Sequence, residues 1–170
     1  LLSSSSPALV RFDGQPAGRL QLDAPMSHAD SAVPHPDGGL VVLGSDAEGG
    51  QVLQRFDASG SATTTAPLER RGRQLFTMHD GGLGVLLQGG GDAGLSLRDA
   101  DTLLETGQCA TPFEANYAAA LSDGTVVVAE GDRIGLAGCG GAEAQGWFHG
   151  AENREVISMG SAAVVLDRTG

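Results

Sequence analysis

Acidic residues are the side chains in this sequence whose placement most invites a chemical reading. Asp46, Glu48, Asp92 and Asp132 all fall in short, Gly- and acid-rich stretches between hydrophobic runs. Hard cations such as calcium gather several oxygen ligands from loops, so these four carboxylates are the candidate ligands of a cation site. No other cofactor is expected, and no residue stands out as catalytic. The histidines, His28, His35, His79 and His149, lack the HxxxH or HExxH spacing that aims two imidazoles at one metal. His35 and His79 read as surface residues beside two equivalent turns. Cys109 and Cys139 sit in GQCATP and GLAGCGG, without the paired CxxC spacing of a zinc site. In an exported protein such a pair is expected to form a disulfide, and in the cytosol two buried thiols. Gly89 to Gly94 satisfies GxGxxG, yet Leu95-Ser96-Leu97-Arg98 continues as strand, whereas a dinucleotide site needs a helix to open there. A GxSxG nucleophile elbow is absent from the sequence. Trp147-Phe148-His149 stands where aromatics are scarce. An exposed Trp147 can anchor a protein or a sugar, but the expectation is a buried Trp that packs one sheet on the next.

Composition narrows the partners. The 170 residues carry a formal net charge of -11, and all 10 basic residues are arginines. A nucleic-acid surface needs clustered cations that release counterions, and the one cluster is Arg70, Arg71 and Arg73; nucleic acid is excluded as a partner. Gly occurs 27 times and aromatics make up 4%, so the core must come from Leu, Val and Ala, a turn-rich β composition. No apolar run approaches the ~18 residues of a membrane helix, so no transmembrane segment is expected. Residues 1–7, with Ser3 to Ser6 and then Pro7, read as a flexible leader. A cleaved secretion signal, a lipid-anchor tether and an arbitrary sequence boundary all fit it. The expected location is extracytoplasmic: periplasmic, secreted or surface-attached.

The elements that would position these residues repeat. Asp37, Asp80 and Asp123 lie 43 residues apart in Pro36-Asp37-Gly38-Gly39, His79-Asp80-Gly81-Gly82 and Ser122-Asp123-Gly124-Thr125. Each turn sits between a short mixed run and a hydrophobic one: Leu40 to Leu43, Leu83 to Leu87, Val126 to Val128. Two β-type runs joined by Asp-Gly predict a hairpin. The aspartates themselves are expected to cap their own turns. A second module follows, Val52 to Asp57 and Leu95 to Asp99, with a weaker copy at Ile134 to Ala137. Leu9 to Gly14 opens the chain with the same module, and Val156 to Ser158 with Ala163 to Leu166 ends it as one more hairpin. A period near 43 residues predicts an all-β fold, a β-propeller of about four four-stranded blades. The repeat domain spans 8–170, with units at about 30–73, 74–115 and 116–154, and 8–29 and 155–170 forming a shared blade. A closed ring built by that sharing and an arc of a larger propeller both remain open.

The stretch HPDGGLVVLG followed by VLQRFDASG resembles the bacterial delta-60 repeat and the NHL repeat. The likeness covers residues 31–60 well and 74–102 fairly. It implies blade geometry and leaves the chemistry undefined, because such propellers include both binding platforms and enzymes. In that geometry the tight turns lie on one face, and the longer connections (45–50, 69–73, 89–94, 114–116, 130–133 and 151–155) lie on the other, which is the face expected to bind. The expected function is a non-enzymatic binding or scaffold module for a protein or glycan. The alternative is a hydrolase or lyase with a central-channel site that uses calcium. Because a partial propeller would leave blade edges open, a partner subunit is a further expectation.

Overall fold

A computed structural model describes residues 26–89, 94–148 and 153–167. It is all-β, and the strands form antiparallel sheets. The chain divides into two compact units, one of residues 1–69 with 101–103 and the other of residues 70–100 with 104–170.

In the first unit, β1 (His28–Pro34), β2 (Leu40–Ser45), β3 (Gln51–Phe56) and β4 (Ala62–Pro67) pair in sequence order as a four-stranded meander. Leu40, Val41, Val42 and Leu43 are all buried, so β2 is covered on both faces, and that is why it reads as a continuous apolar run. Leu40, Val42 and Phe56 form its core cluster, with Met26 and Ala29 packed against them. The β1–β2 turn closes as expected: the Asp37 carboxylate accepts a hydrogen bond from the Gly39 amide at 2.9 Å, and Gly38 takes φ +91°. That left-handed conformation is why the position is glycine. Asp80 and Asp123 cap the corresponding turns the same way, accepting from Gly82 at 3.0 Å and Thr125 at 2.9 Å.

The second unit holds β5 (Arg71–Thr77), β6 (Leu83–Gln88), β7 (Gly94–Arg98) and β8 (Glu105–Ala110), again a meander. Next come β9 (Tyr117–Ala120), β10 (Val126–Glu130), β11 (Arg133–Leu136), β12 (Gly138–Cys139) and β13 (Gln145–Phe148). Strands β9, β10, β11 and β13 make a third sheet, while β12 leaves it to pair with the outer strand β8 of the second. The last hairpin is β14 (Asn153–Met159) with β15 (Ala162–Asp167).

Alternation along β10 explains how these sheets stack. Val126 and Val128 face a cluster with Phe76, Leu86 and Leu95 of the second sheet, while Val127 and Ala129 face Val156 of β14. A strand segment buried on both faces needs apolar residues at every position, and β10 has them from Val126 to Ala129. One side chain also ties β5 to β9: the Gln74 amide donates to the Ala118 carbonyl at 3.1 Å and accepts from the Ala118 amide at 2.8 Å.

One expectation is corrected by the connections. The β10–β11 turn holds only Gly131 and Asp132, whereas the stretches between β7 and β8 (residues 99–104) and between β11 and β13 (residues 137–144) are long and lie at the opposite ends of their sheets. The longer connections are therefore not all at one end. The leader 1–7, the module at Leu9 to Gly14 and the rest of 8–25 lie outside the described residues.

Candidate functional site

The acids proposed for a cation stand on separate turns, Asp46 and Glu48 between β2 and β3 and Asp132 between β10 and β11. Asp46 spends its Oδ1 on its own turn, accepting from the Glu48 amide at 3.1 Å and the Gly50 amide at 2.7 Å. Glu48 is exposed on that turn, Asp132 stands on the β10–β11 turn, and Asp92 lies outside the described residues. Among the described residues no group of three or more His, Cys, Asp or Glu side chains can hold a metal ion. Asp46 follows the rule that governs the Asp-Gly turns: a short carboxylate at the start of a turn accepts from nearby amides. Gly94 opens strand β7, and residues 90–93 of the GxGxxG stretch lie outside the described residues.

The histidines separate by environment. His79 is exposed, as expected, and exposed His28 pairs with Asp30 at 3.1 Å. His149 is outside the described residues. His35 is not a surface turn residue: it is buried. Its Nδ1 lies 2.7 Å from Asp37 Oδ1 and its Nε2 lies 3.5 Å from Asp101 Oδ1. Arg55, on β3, reaches the same two carboxylates, with Nη2 2.5 Å from Asp37 Oδ2 and 3.3 Å from Asp101 Oδ1. The Gly39 amide, then His35 and Arg55, hold the Asp37 carboxyl down at about 2. Leu103, next to this cluster in sequence, is fully buried with φ +60°, a left-handed backbone that a leucine adopts only where burial enforces it. Both ring nitrogens of His35 lie against carboxylates, and the four side chains read as a fastening of residues 101–103. Sequence reasoning missed this cluster. Its only local signal is Arg55, which stands 18 residues from Asp37.

A second arrangement lies at the end of the third sheet that carries the β10–β11 turn. Trp147 is 50% exposed and Phe148 73%, which corrects the expectation of a buried packing Trp. The cause is position: β13 is the outer strand of its sheet, and all four of its residues are exposed. In the ladder Arg133 stands opposite Phe148 and Ile134 opposite Trp147, so the two aromatics project from opposite faces. The Arg133 guanidinium ion-pairs with Glu130 and sits 4.7 Å from the Phe113 ring centroid, a cation–π contact. A Cβ placed on Gly146 would come within 3.3 Å of Phe113 and 3.2 Å of Pro112, so the bare glycine lets these two rings lie on the strand. An exposed indole and phenyl beside a guanidinium and a carboxylate can stack on a ring or an apolar side chain and hydrogen-bond its polar neighbours.

Cys109 and Cys139 are joined by a disulfide. They are direct partners in the β8–β12 ladder, so the bond fastens the two-residue strand β12 to the edge of the second sheet.

No family model matches the chain, and no curated protein matches it. Among solved structures, a protein of unknown function from Bacteroides caccae is similar at a TM-score of 0.63 and 13% sequence identity. The match covers 92% of this chain and 61% of that one, so the chain spans less than two thirds of its neighbour's length. At that identity the likeness concerns the fold alone. No helix among the described residues is long and apolar enough to cross a membrane.

Proposed function

We propose that this chain is a non-enzymatic binding or scaffold module, built of β-propeller blades of the delta-60 or NHL kind, that holds a protein or glycan partner. Support for the blades comes from the 43-residue spacing of Asp37, Asp80 and Asp123 together with the four-stranded antiparallel meanders that follow it. The observation that carries the binding reading is the pair Trp147 and Phe148, exposed on an outer strand in a chain with one Trp and one Tyr. Large apolar side chains left in water beside a polar rim mark interaction sites. The disulfide suits an oxidising compartment and supports an extracytoplasmic location.

The test is binding by the full chain to an array of glycans and to extracellular proteins, repeated with Trp147→Ala. A bound partner that the variant loses by roughly tenfold or more, as for an interface anchor, supports the reading. It fails if the chain turns over a substrate, or if Trp147→Ala leaves every partner bound as before.

A further inference from the structure

Outer strands are a hazard that proteins normally guard, because their unpaired N–H and C=O groups template another chain. The outer edge of β8 is covered by β12 and fastened by Cys109–Cys139. Strand β4 ends in Pro67, and its Thr64 hydroxyl donates to the Asp101 carbonyl at 3.3 Å, so residues 101–103 lie against it. Strand β13 differs. Gln145-Gly146-Trp147-Phe148 has no charge, no proline and no bulge in its pairing with β11, and among the described residues no strand pairs with its outer edge.

We infer that this edge takes an extended, basic peptide segment of a partner protein as a fifth strand. The inference rests on the binding reading above and names its partner. A strand added beside β13 places its alternating side chains against Trp147 on one face and Phe148 on the other, while its backbone closes the open ladder. Aromatics on both faces grip a strand, whereas a sugar or a flat surface engages one face at a time. The charge follows from the surroundings. Asp132 sits in the turn beside Arg133, exposed Glu143 precedes β13, and the Arg133 guanidinium is already paired with Glu130, in a chain of net charge -11. A lysine- or arginine-bearing segment complements that field.

The experiment selects phage-displayed random nonapeptides on the full chain and synthesises the best binders. The selected peptides are expected to be basic and proline-free and to lose affinity roughly tenfold or more when alternate backbone nitrogens on one edge are methylated. The amides of residues 145–148 should exchange more slowly with the peptide bound. Trp147→Ala, whose side chain is exposed, should weaken the same peptides without altering the fold. Several results would overturn strand addition: no enriched peptide, peptides indifferent to N-methylation, or β13 amides already protected in a dimer of this chain. If peptides fail but a glycan binds and Trp147→Ala abolishes that binding, the strand-addition inference falls and the binding reading stands. If neither class binds, both fall.

Discussion

Replacing Cys109 and Cys139 together by Ala tests the fastening of β12 directly. The two cysteines are 30 residues apart in sequence. In the chain-entropy account, a cross-link closing a loop of that length removes about 3.5 kcal/mol of unfolded-state freedom at 25 °C. For a chain of this size each kcal/mol moves the melting midpoint by about 2–4 °C, so the double variant should melt about 10 °C lower. Urea unfolding followed by circular dichroism measures the free energy, and the wild type in excess reductant should coincide with the variant in oxidising buffer. Amide exchange should quicken at positions 138 and 139, because the cross-link no longer reinforces their two-residue ladder on β8. A loss below about 1 kcal/mol would refute the reasoning, since it would mean that β12 is held by packing around Cys109 and that the cross-link closes a loop already restrained in the unfolded chain.

Two further outcomes follow from particular contacts. Asp37 ionises at about 2 in the fold against its ordinary 3.8, so its contribution is fully present above pH 4 and disappears as the pH falls toward 2. An acid titration of stability in Asp37→Asn should be flatter across that window than in the wild type, and equal slopes would mean that the carboxylate is not held by Gly39, His35 and Arg55. A Cβ on Gly39 would lie 2.0 Å from the Phe56 carbonyl oxygen, a backbone atom that cannot swing aside. Gly39→Ala should therefore destabilise by about 1–3 kcal/mol or more in urea unfolding, whereas a neutral outcome would show that β2 and β3 can separate locally.

Much of the fold was legible because the signals are local. Asp37, Asp80 and Asp123 each need only the two following residues to close a turn, and the all-apolar Val126 to Ala129 announces a strand covered on both faces. The site was harder to read because its determinants are distant or concern what is missing. His35 looks like any turn residue until Asp101 reaches it from far along the chain. Trp147 looks like core because nothing in its own sequence says that β13 is an outer strand, and the departure of β12 to β8 is invisible in the four residues around it. Asp46 is ambiguous in the same way: an acid in a Gly-rich loop resembles a ligand, and its Oδ1 also accepts from amides within four residues.

Gln74 carries a mechanical consequence. Its side-chain amide both donates to and accepts from Ala118, as a peptide unit would. A two-way bond of this kind blocks sliding of β5 along β9 in either direction, because each slip breaks one half of the pair, but it resists rotation about itself only weakly. The second and third sheets of this unit are thus fastened at two places, by Gln74 between their first strands and by the Cys109–Cys139 bond at the outer strand β8, so that sliding is opposed at one edge and spreading at the other.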